Sequence, residues 1–497
     1  MGTQRVVRYL SGFGAGVRFG VHNSTLINIM RGVVERVLYT PSAGGLQRPP
    51  RPLAGVFNRL SSIRAALVGA ARRTTVVPRA DYSMLYTGRK RGVYQRAYES
   101  LSLKPITKRD SYVSTFVKAE KINFSAKGDP APRVIQPRSP RYNLEVGRYL
   151  KLFEHSLFQA FEKVFGYRVI LKGLNADGMA ACLRSSWDSF DDPVALGLDA
   201  SRFDQHVSRA ALEYEHSVYN EVFRSPELAK LLSWQLHNRG YGRVGDCCVK
   251  YEVDGCRMSG DINTSLGNCL IMASIVLGYL SHHGIAGRLA NNGDDCIVFV
   301  ERRDYHRLSG LPQWFTDFGF KLTTDPPVDT FEQIVFCQTQ PVMVGSGWRM
   351  VRDPFTAMSK DCVSLLGWDG PEQFATWRDA IGTCGLELTS GVPVWESFYR
   401  AIKSGDRQGG LEHVYETGLG YWARGVQRCA ITDEARFSFW RAFGITPDDQ
   451  LALEESWPEI SWGDPQGLMF TDIAPQSAVK WLRNAKERNE TRRRCNG

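Results

Sequence analysis

The sequence predicts a mixed α/β (α+β) fold, because short runs of β-branched residues alternate with longer stretches of helical periodicity. Residues 194–198 form an apolar run with the length of a buried strand, and a helical pattern follows to about Phe223. Residues 288–290 and 296–300 flank a Gly-Asp-Asp turn, which predicts a β-hairpin. Residues 265–280 are apolar on nearly every side, which predicts a helix inside the core.

Length and charge limit the class of protein. A chain of 497 residues with 43% hydrophobic content predicts two to four globular, domain-sized units. The net charge of +10 is uneven, since residues 1–150 contain 26 Lys and Arg against 7 Asp and Glu, whereas the remainder is net acidic. A basic front and an acidic body suggest that one part contacts a polyanion and another binds cations. A solvated basic surface is the alternative.

The sequence contains no targeting or metal-finger pattern. No apolar run reaches 18 residues, and the N-terminus lacks the apolar core of a secretion signal. The 11 cysteines include no C-x-x-C pair and complete no zinc pattern, which favours a reduced, intracellular compartment.

Helical periodicity and turn residues organise the rest of the chain. Residues 44–52 form a Pro-rich and Gly-rich connector. Further helices are predicted at 26–34, 56–71, 143–165, 228–236, 371–381, 394–402 and 433–443.

Residues 111–141 predict an extended ribbon that presents cations at intervals. Strand-like alternation occupies 112–117 and resumes at 133–136. Such spacing suits a row of phosphates, because Lys offers a point charge and Arg offers bidentate donors. An edge strand guarded by lysines is the alternative. The cations of this ribbon are Lys118, Lys121, Lys127, Arg133, Arg138 and Arg141.

Two further segments carry candidate site residues. Asp199 and Asp204 follow the strand at 194–198, at the position where α/β sites usually lie, although Asp is also an ordinary N-cap. Ser259, Thr264 and Asn268 open the apolar helix and could hydrogen-bond a ligand, or simply cap a core helix.

The turn Gly293–Asp294–Asp295 places two carboxylates side by side. Neighbouring carboxylates repel each other unless a cation lies between them, which predicts a Mg²⁺ site. A solvated Asp-Gly turn is the alternative.

Taken together, these segments resemble a known family. Asp199-x4-Asp204, Ser259-Gly260-x3-Thr264-x3-Asn268 and Gly293–Asp294–Asp295 resemble, in order and spacing, motifs A, B and C of viral RNA-dependent RNA polymerases. The basic ribbon lies where motif F would be. The likeness is closest to the tombusvirus/carmovirus group and weakest beyond about residue 365. It is carried by FVKAEK at 116–121, PRVIQPR at 132–138, FCQ at 336–338 (motif E) and VHNS at 21–24.

The resemblance implies a right-hand polymerase with fingers, a palm built on an antiparallel sheet flanked by helices, and a mainly helical thumb. The N-terminal region and fingers would occupy 1–190, with the motif F ribbon at 116–141. Motif A of the palm would lie at 191–204, an insertion of fingers or palm at 205–255, and palm motifs B to E at 256–345. Residues 346–497 would form the thumb and a basic C-terminal tail.

The resemblance also implies roles in nucleotidyl transfer. Two Mg²⁺ ions, or Mn²⁺ in their place, stabilise the attacking and leaving oxygens of such a reaction. Asp199 and Asp294 would bridge the metals, Asp295 would be a weaker or outer ligand, and the carbonyl of Ala200 would add an oxygen. Asp204 and Asn268 would recognise the ribose 2′-hydroxyl, with Ser259 and Thr264 in support. Such a site rejects a substrate that lacks the hydroxyl.

The cationic residues would contact phosphates. Lys118, Lys121, Lys127 and Arg133 would bind the triphosphate and pyrophosphate, and Arg138 and Arg141 would contact triphosphate or RNA. Lys321 is the candidate general acid, although relatives place a lysine two residues later, where this chain has Thr323. Positions two apart in a strand share a face, and an exposed strand lysine is the alternative.

The expected reaction is therefore RNA-directed RNA synthesis for a positive-strand virus from rNTPs, with primer-independent initiation. A reverse transcriptase-like palm enzyme is one alternative, which Asp204 and Asn268 disfavour. A non-catalytic RNA-binding replication subunit is another, which the acidic residues disfavour. The expected partners are template and product RNA, a membrane-anchoring viral auxiliary replicase protein and host factors. Because no membrane span is predicted in this chain, a partner or an upstream extension would hold it at membrane-associated replication complexes in the host cytoplasm.

Overall fold

The computed structural model describes residues 2, 4–10, 17–345, 347–366, 368, 370–405, 424–460 and 462–463. Helices and strands alternate along these residues, which confirms the mixed fold. The predicted basic C-terminal tail lies outside the described residues.

A four-stranded antiparallel sheet, called the central sheet below, joins the predicted hairpin to the predicted strand at 194–198. Its order is Gly287–Asn292, Asp295–Glu301, Pro193–Ala200 and Leu322–Thr324. The predicted hairpin and the predicted strand at 194–198 are therefore neighbours in one sheet. Their register places Asp295 directly opposite Asp199.

The helix Thr264–His282, called the core helix below, packs in the main hydrophobic core. Every residue from 266 to 280 is buried, as an all-round apolar sequence requires. Among the described residues this helix is the one long and apolar enough to cross a membrane. Inside the protein, 83% of its 18-residue apolar stretch is buried. The helices that share its core include Ser61–Ala70, Pro140–Phe165, Arg209–Phe223 and Leu311–Asp317.

The helical pattern after residue 204 is interrupted, contrary to the prediction of one long helix. A short helix spans Phe203–His206, and a new helix begins at Arg209. Ser208 caps the new helix, because its hydroxyl accepts a hydrogen bond of 3.2 Å from the backbone N–H of Ala211.

Residues 19–254 also form several small sheets. The predicted ribbon is present, with Phe116–Val117 antiparallel to Val134–Ile135. The other small sheets are Cys247–Asp254 with His237–Val244 and Val113–Ser114, Phe19–Gly20 with Ile122–Asn123, and Thr40–Ser42 with Gly45–Gln47.

A second hydrophobic core lies in the C-terminal third, around the hairpin of Thr339–Val344 and Gly347–Arg352. The N-terminal strand Arg8–Tyr9 pairs with Val363–Ser364 and so ties the start of the chain to this core. The helices here are Pro354–Asp361, Pro371–Thr389, Trp395–Ile402, Asp433–Phe443, Pro447–Ser456 and Trp457–Glu459.

The described residues form further helices, several of which contribute side chains to the hydrophobic cores. They are Leu26–Val33 with the wider turn Val34–Leu38, Val56–Leu60, Tyr82–Leu85, Gly88–Leu103, Lys108–Ser111, Phe124–Lys127, Ala176–Trp187, Pro226–Ser233, Arg302–Gly310 and Phe331–Gln333.

Candidate active site

The acidic turn is a two-residue hairpin loop whose shape is set by a buried asparagine. Gly293 has a positive φ of 91°, as the first central residue of a type II′ turn requires. The amide of Asn291 donates to the carbonyl of Gly293 over 2.7 Å, and its oxygen accepts from the Gly293 N–H over 3.2 Å. These bonds hold Asp294 at the tip of the hairpin.

Three carboxylates meet where the two middle strands of the central sheet end. Asp199 and Asp295 are directly opposed on adjacent strands, Asp294 precedes Asp295, and all three are exposed. Although the Asp295 side chain reaches solvent, the protein around it removes part of its hydration and so raises its pKa above the ordinary value, and the negative charges of Asp294 and Asp199 raise that pKa further. A divalent cation among these carboxylates would relieve that repulsion.

The donor set suits a metal that shares its ligands with substrate. No cluster of three or more Asp, Glu, His or Cys side chains in the described part of the chain forms a ready metal cage. Mg²⁺ typically takes one or two protein carboxylates and completes its shell with water and substrate phosphates. Asp199, Asp294 and Asp295 fit that requirement, and Ala200 lies in the same strand, buried and paired with Leu322.

The predicted ribose-reading residues are in direct contact. Asp204 lies on the short helix Phe203–His206, and Asn268 lies on the core helix. The Asn268 amide donates to Asp204 Oδ1 over 2.7 Å. Burial raises the pKa of Asp204, while the hydrogen bond from Asn268 and the positive charge of Arg257 oppose that rise.

Ser259 and Thr264 support this pair indirectly, through the loop before the core helix. The Ser259 hydroxyl donates to the carbonyl of Val134 over 3.2 Å, and so joins the loop to the basic ribbon. The Thr264 hydroxyl lies within hydrogen-bond distance of two carbonyls of its own loop, those of Met258 at 3.1 Å and Asp261 at 2.9 Å.

Two of the predicted phosphate-binding cations share one acidic partner. Glu120 Oε2 lies 2.9 Å from Lys118 Nζ and 3.1 Å from Arg133 Nη1. The Arg133 side chain is 59% exposed, and such exposed ion pairs exchange partners at little cost. Both cations are therefore available to a phosphate. Lys127 ends the short helix Phe124–Lys127, and its side chain lies outside the described residues.

Three other cations contact groups of the protein itself, and their phosphate-binding or RNA-binding roles stay predictions. Lys121 Nζ donates to the carbonyl of Lys360 over 2.9 Å, and burial lowers its pKa to about 8. Arg138 is fully buried in an ion pair with Asp261, away from any phosphate in solution. Arg141 forms a 2.9 Å ion pair with Asp110 and donates to carbonyls of the preceding loop.

Lys321, the candidate general acid, lies one residue before the strand that pairs with Asp199. Lys321 precedes the edge strand, its side chain is exposed, and its carbonyl accepts from Ser201 N–H over 2.9 Å. Thr323 is the residue opposite Asp199, and its hydroxyl donates to the Asp199 carbonyl over 3.2 Å. The role of Lys321 stays a prediction.

One cation beside the turn was not predicted. A β-carbon placed on Gly293 would lie 3.8 Å from Lys172 Nζ, and the Lys172 charge lowers the pKa of Asp295. The segment before Lys172 is bound to the hairpin, since Leu171 N–H donates to Asn291 O over 2.8 Å. Sequence contains no signal for this contact, because Lys172 is a single lysine 121 positions before Gly293.

The turn at residues 336–338 packs beneath the acidic hairpin. The Asn292 amide donates to Cys337 Sγ over 3.0 Å. Burial raises the pKa of the Cys337 thiol to about 12, so the thiol stays protonated and packs.

Opposed carboxylates, the hydrogen-bonded pair of Asp204 and Asn268, and a cationic ribbon form a set of groups that fits the chemistry of metal-dependent nucleotidyl transfer. The family of viral RNA dependent RNA polymerases matches residues 2–462, and the chain belongs to that family.

Individual relatives agree with this assignment. The chain is 46% identical to the RNA-directed RNA polymerase of Turnip crinkle virus, over 93% of this chain and 61% of the relative. It is 46% identical to that of Tobacco necrosis virus (strain A), over 95% and 65%, and 47% identical to that of Tomato bushy stunt virus (strain Cherry), over 93% and 57%. The predicted resemblance to the tombusvirus/carmovirus group is confirmed. The chain spans less than two thirds of the length of each of these relatives.

Proposed function

We propose that this chain is an RNA-directed RNA polymerase that replicates the genome of a positive-strand plant virus from rNTPs. The observation that carries the proposal is the pairing of Asp199 with Asp295 beside the turn that holds Asp294. Family membership supports the same activity.

Asp199, Asp294 and Asp295 would hold the divalent cations, with the Ala200 carbonyl as a further oxygen. Bound Mg²⁺ or Mn²⁺ would supply charge stabilisation for the attacking and leaving oxygens. The chain's own contribution is to aim these carboxylates, through the strand register and the Asn291 hydrogen bonds, at the place where the primer end and the α-phosphate meet.

Asp204 and Asn268 would select ribonucleotides. A hydroxyl both donates and accepts, so a carboxylate–amide pair can satisfy it completely. A deoxynucleotide would leave these polar groups unpaired, which a partly buried site penalises strongly. Lys118 and Arg133 would leave Glu120 for the triphosphate, Lys127 would add a third cation, and Lys321 would protonate the departing pyrophosphate.

The architecture we propose follows the right-hand plan. Residues 1–190 would form the N-terminal region and fingers, 191–204 and 256–345 the palm, and 205–255 an insertion of fingers or palm. The thumb and tail would occupy 346–497. The central sheet is antiparallel and flanked by helices, as a palm would be.

The proposed partners are template and product RNA, rNTPs, a membrane-anchoring viral auxiliary replicase protein and host factors. The relatives are longer than the matched chain, so further segments could supply the membrane contact. The proposed location is the host cytoplasm, at membrane-associated replication complexes.

Primer extension and de novo synthesis on an RNA template test the proposal. Wild type should incorporate rNTPs with Mg²⁺ or Mn²⁺, and Asp294→Ala should lose about 10³-fold or more, because metal positioning supplies several kcal/mol of the rate enhancement. Asp192→Ala is the matched control, since Asp192 lies beyond the far end of the same strands in an exposed ion pair with Arg302.

The alternatives give different results in the same assay. Preference for dNTPs in wild type would indicate a reverse transcriptase-like enzyme. RNA binding without incorporation would indicate a non-catalytic replication subunit.

A further inference from the structure

A fully buried ion pair lies directly behind the ribose-reading amide. Arg257 and Glu215 both have side chains with no exposed surface, and they contact each other through Arg257 Nη2. Arg257 Nε also donates to Asn268 Oδ1 over 3.0 Å, while Asn268 Nδ2 donates to Asp204 Oδ1 over 2.7 Å. A continuous path of polar contacts therefore runs from Glu215 to Asp204.

These contacts determine which end of the Asn268 amide faces Asp204. The oxygen and nitrogen ends of an amide are nearly identical in shape, so the orientation depends on the neighbours. A guanidinium can only donate and a carboxylate can only accept. A flipped amide would set its N–H groups against Arg257 and its oxygen against Asp204, so both contacts would become repulsive.

Arg257 is itself held in place from several sides. Glu215 also accepts from the Asn263 amide over 2.7 Å and from the Tyr219 hydroxyl over 2.9 Å, so its carboxylate is fixed. The backbone N–H of Arg257 donates to the carbonyl of Asp204 over 2.9 Å. Arg257 thus contacts both members of the ribose-reading pair, one through its side chain and one through its backbone.

Stability alone is a weak reason for such a pair. A buried ion pair commonly contributes no more than apolar residues of the same volume, because desolvation offsets the attraction. In addition, Arg257 Nη1 has no hydrogen-bond partner among the residues that the structure describes. Orienting Asn268 is the consequence of the pair that an apolar replacement could not reproduce.

We propose that Arg257, held by Glu215, is a positioning residue that sets the selection of ribonucleotides over deoxyribonucleotides. It acts by locking the Asn268 amide so that one Nδ2 hydrogen binds Asp204 and the other points along a fixed direction toward the ribose hydroxyl. This inference rests on the proposed function, since it requires that Asp204 and Asn268 read the 2′-hydroxyl.

The test compares kcat/KM for a matched rNTP and dNTP in single-nucleotide primer extension with the full chain. Arg257→Met combined with Glu215→Gln removes both charges together and keeps an acceptor for Asn263. The ratio of rNTP to dNTP efficiency should fall at least about tenfold, the value of one hydrogen bond to the ribose. Asn268→Ala should lower the ratio at least as much.

A double-mutant cycle separates positioning from a general structural role. If Arg257 acts through Asn268, adding Asn268→Ala to the 257/215 pair should lower the ratio no further than Asn268→Ala alone. The matched control is Arg349→Met with Asp177→Asn. It breaks an ion pair whose guanidinium is as buried as that of Arg257, on a different helix and strand. It should lower stability and leave the ratio unchanged.

Each outcome decides the matter. An unchanged ratio in the 257/215 variant, or additive effects with Asn268→Ala, overturns the inference while the polymerase function stands. An unchanged ratio in Asn268→Ala overturns the ribose-reading assignment and the inference with it, and a wild type without rNTP incorporation overturns the function itself. If the double variant does not fold, Arg257→Lys is judged by the same criteria, because it keeps the charge next to Glu215 but lacks the fork that reaches Asn268.

Discussion

Gly267→Ala places a single methyl group against the buried ion pair of Arg257 and Glu215. The substitution has two effects on stability that oppose each other: a gain in helix propensity and a loss from crowding the ion pair. In an open helix, alanine is more favourable than glycine by about 1 kcal/mol. At Gly267, however, a β-carbon would lie 2.2 Å from Arg257 Nη2 and 2.3 Å from Glu215 Oε1. These separations are far below van der Waals contact, so the ion pair or the core helix must move.

The magnitude follows from what can move. Both side chains of the pair are fully enclosed, so neither can retreat into solvent. Overpacking a core costs about 1–3 kcal/mol, and separating the members of a buried ion pair costs up to about 3–5 kcal/mol. After subtraction of the helix-propensity gain, we expect a net loss of about 2–4 kcal/mol in the free energy of unfolding.

Urea unfolding of the full chain, followed by far-UV circular dichroism, measures this loss. Gly69→Ala is the matched control, because Gly69 lies in the helix Ser61–Ala70 and no atom would lie within 4 Å of its added β-carbon. That control should gain up to about 1 kcal/mol. If Gly267→Ala unfolds at the same urea concentration as wild type or higher, while Gly69→Ala behaves as expected, the packing described behind Asn268 is wrong.

Three further perturbations give separate expectations. Asp295→Asn should lower single-turnover incorporation by about 10²-fold, less than Asp294→Ala, since the resemblance makes Asp295 the outer ligand; an equal loss would contradict that order. Lys172→Met should lower kcat/KM about tenfold, because it removes the positive charge beside Gly293 and one charge-assisted contact is worth about that factor; full activity would contradict this expectation. Lys121→Met should stabilise the fold at pH 7 by about 1–3 kcal/mol. The reason is that burial lowers the pKa of Lys121 from 10.5 to about 8. The unfolded chain then binds the proton more tightly. The difference in urea unfolding should fade between pH 8 and 10.5, and a loss of stability at pH 7 would contradict it.

The parts of the site that sequence predicted are those determined by neighbouring residues. A glycine followed by two aspartates between β-branched runs is compatible with few backbone conformations. A two-residue hairpin turn is one of these, and it is the one observed in the hairpin Gly287–Glu301. The core helix is similarly local in origin, since its apolar surface on every side leaves burial as the outcome.

The intramolecular partners of the ribbon's cations could not be predicted, because the partner of a charged side chain depends on residues far away in the sequence. Lys121, Arg138 and Arg141 look like Lys118 and Arg133 in sequence. Yet Lys121 contacts a carbonyl 239 positions away, and Arg138 pairs with Asp261, which is 123 positions away. Residue type and spacing therefore indicated a basic ribbon but could not separate its solvent-facing cations from its structural ones.

One helix extends further than the sequence predicted, because a contact with a distant residue stabilises glycine inside it. The helix predicted at 371–381 continues to Thr389, through Gly382 and Gly385. Local propensity disfavours glycine inside a helix. Here the adjacent chain packs so closely that a β-carbon on Gly385 would lie 2.2 Å from the ring of Tyr399. The tertiary contact outweighs the propensity.

Residues proposed to act on the substrate can be predicted from sequence more easily than residues proposed to position them. In the proposed function, Asp199 and Asp294 contribute carboxylates that are exposed to solvent, so residue type and spacing identify them. Arg257 and Glu215 act only through contacts that folding creates between two helices and the loop before the core helix. Exposed carboxylates cannot fix one another, because they repel and water screens them. The geometry of the exposed carboxylates must therefore come from buried groups such as Arg257 and Glu215. The role of such groups depends on hydrogen bonds that exist only in the folded chain.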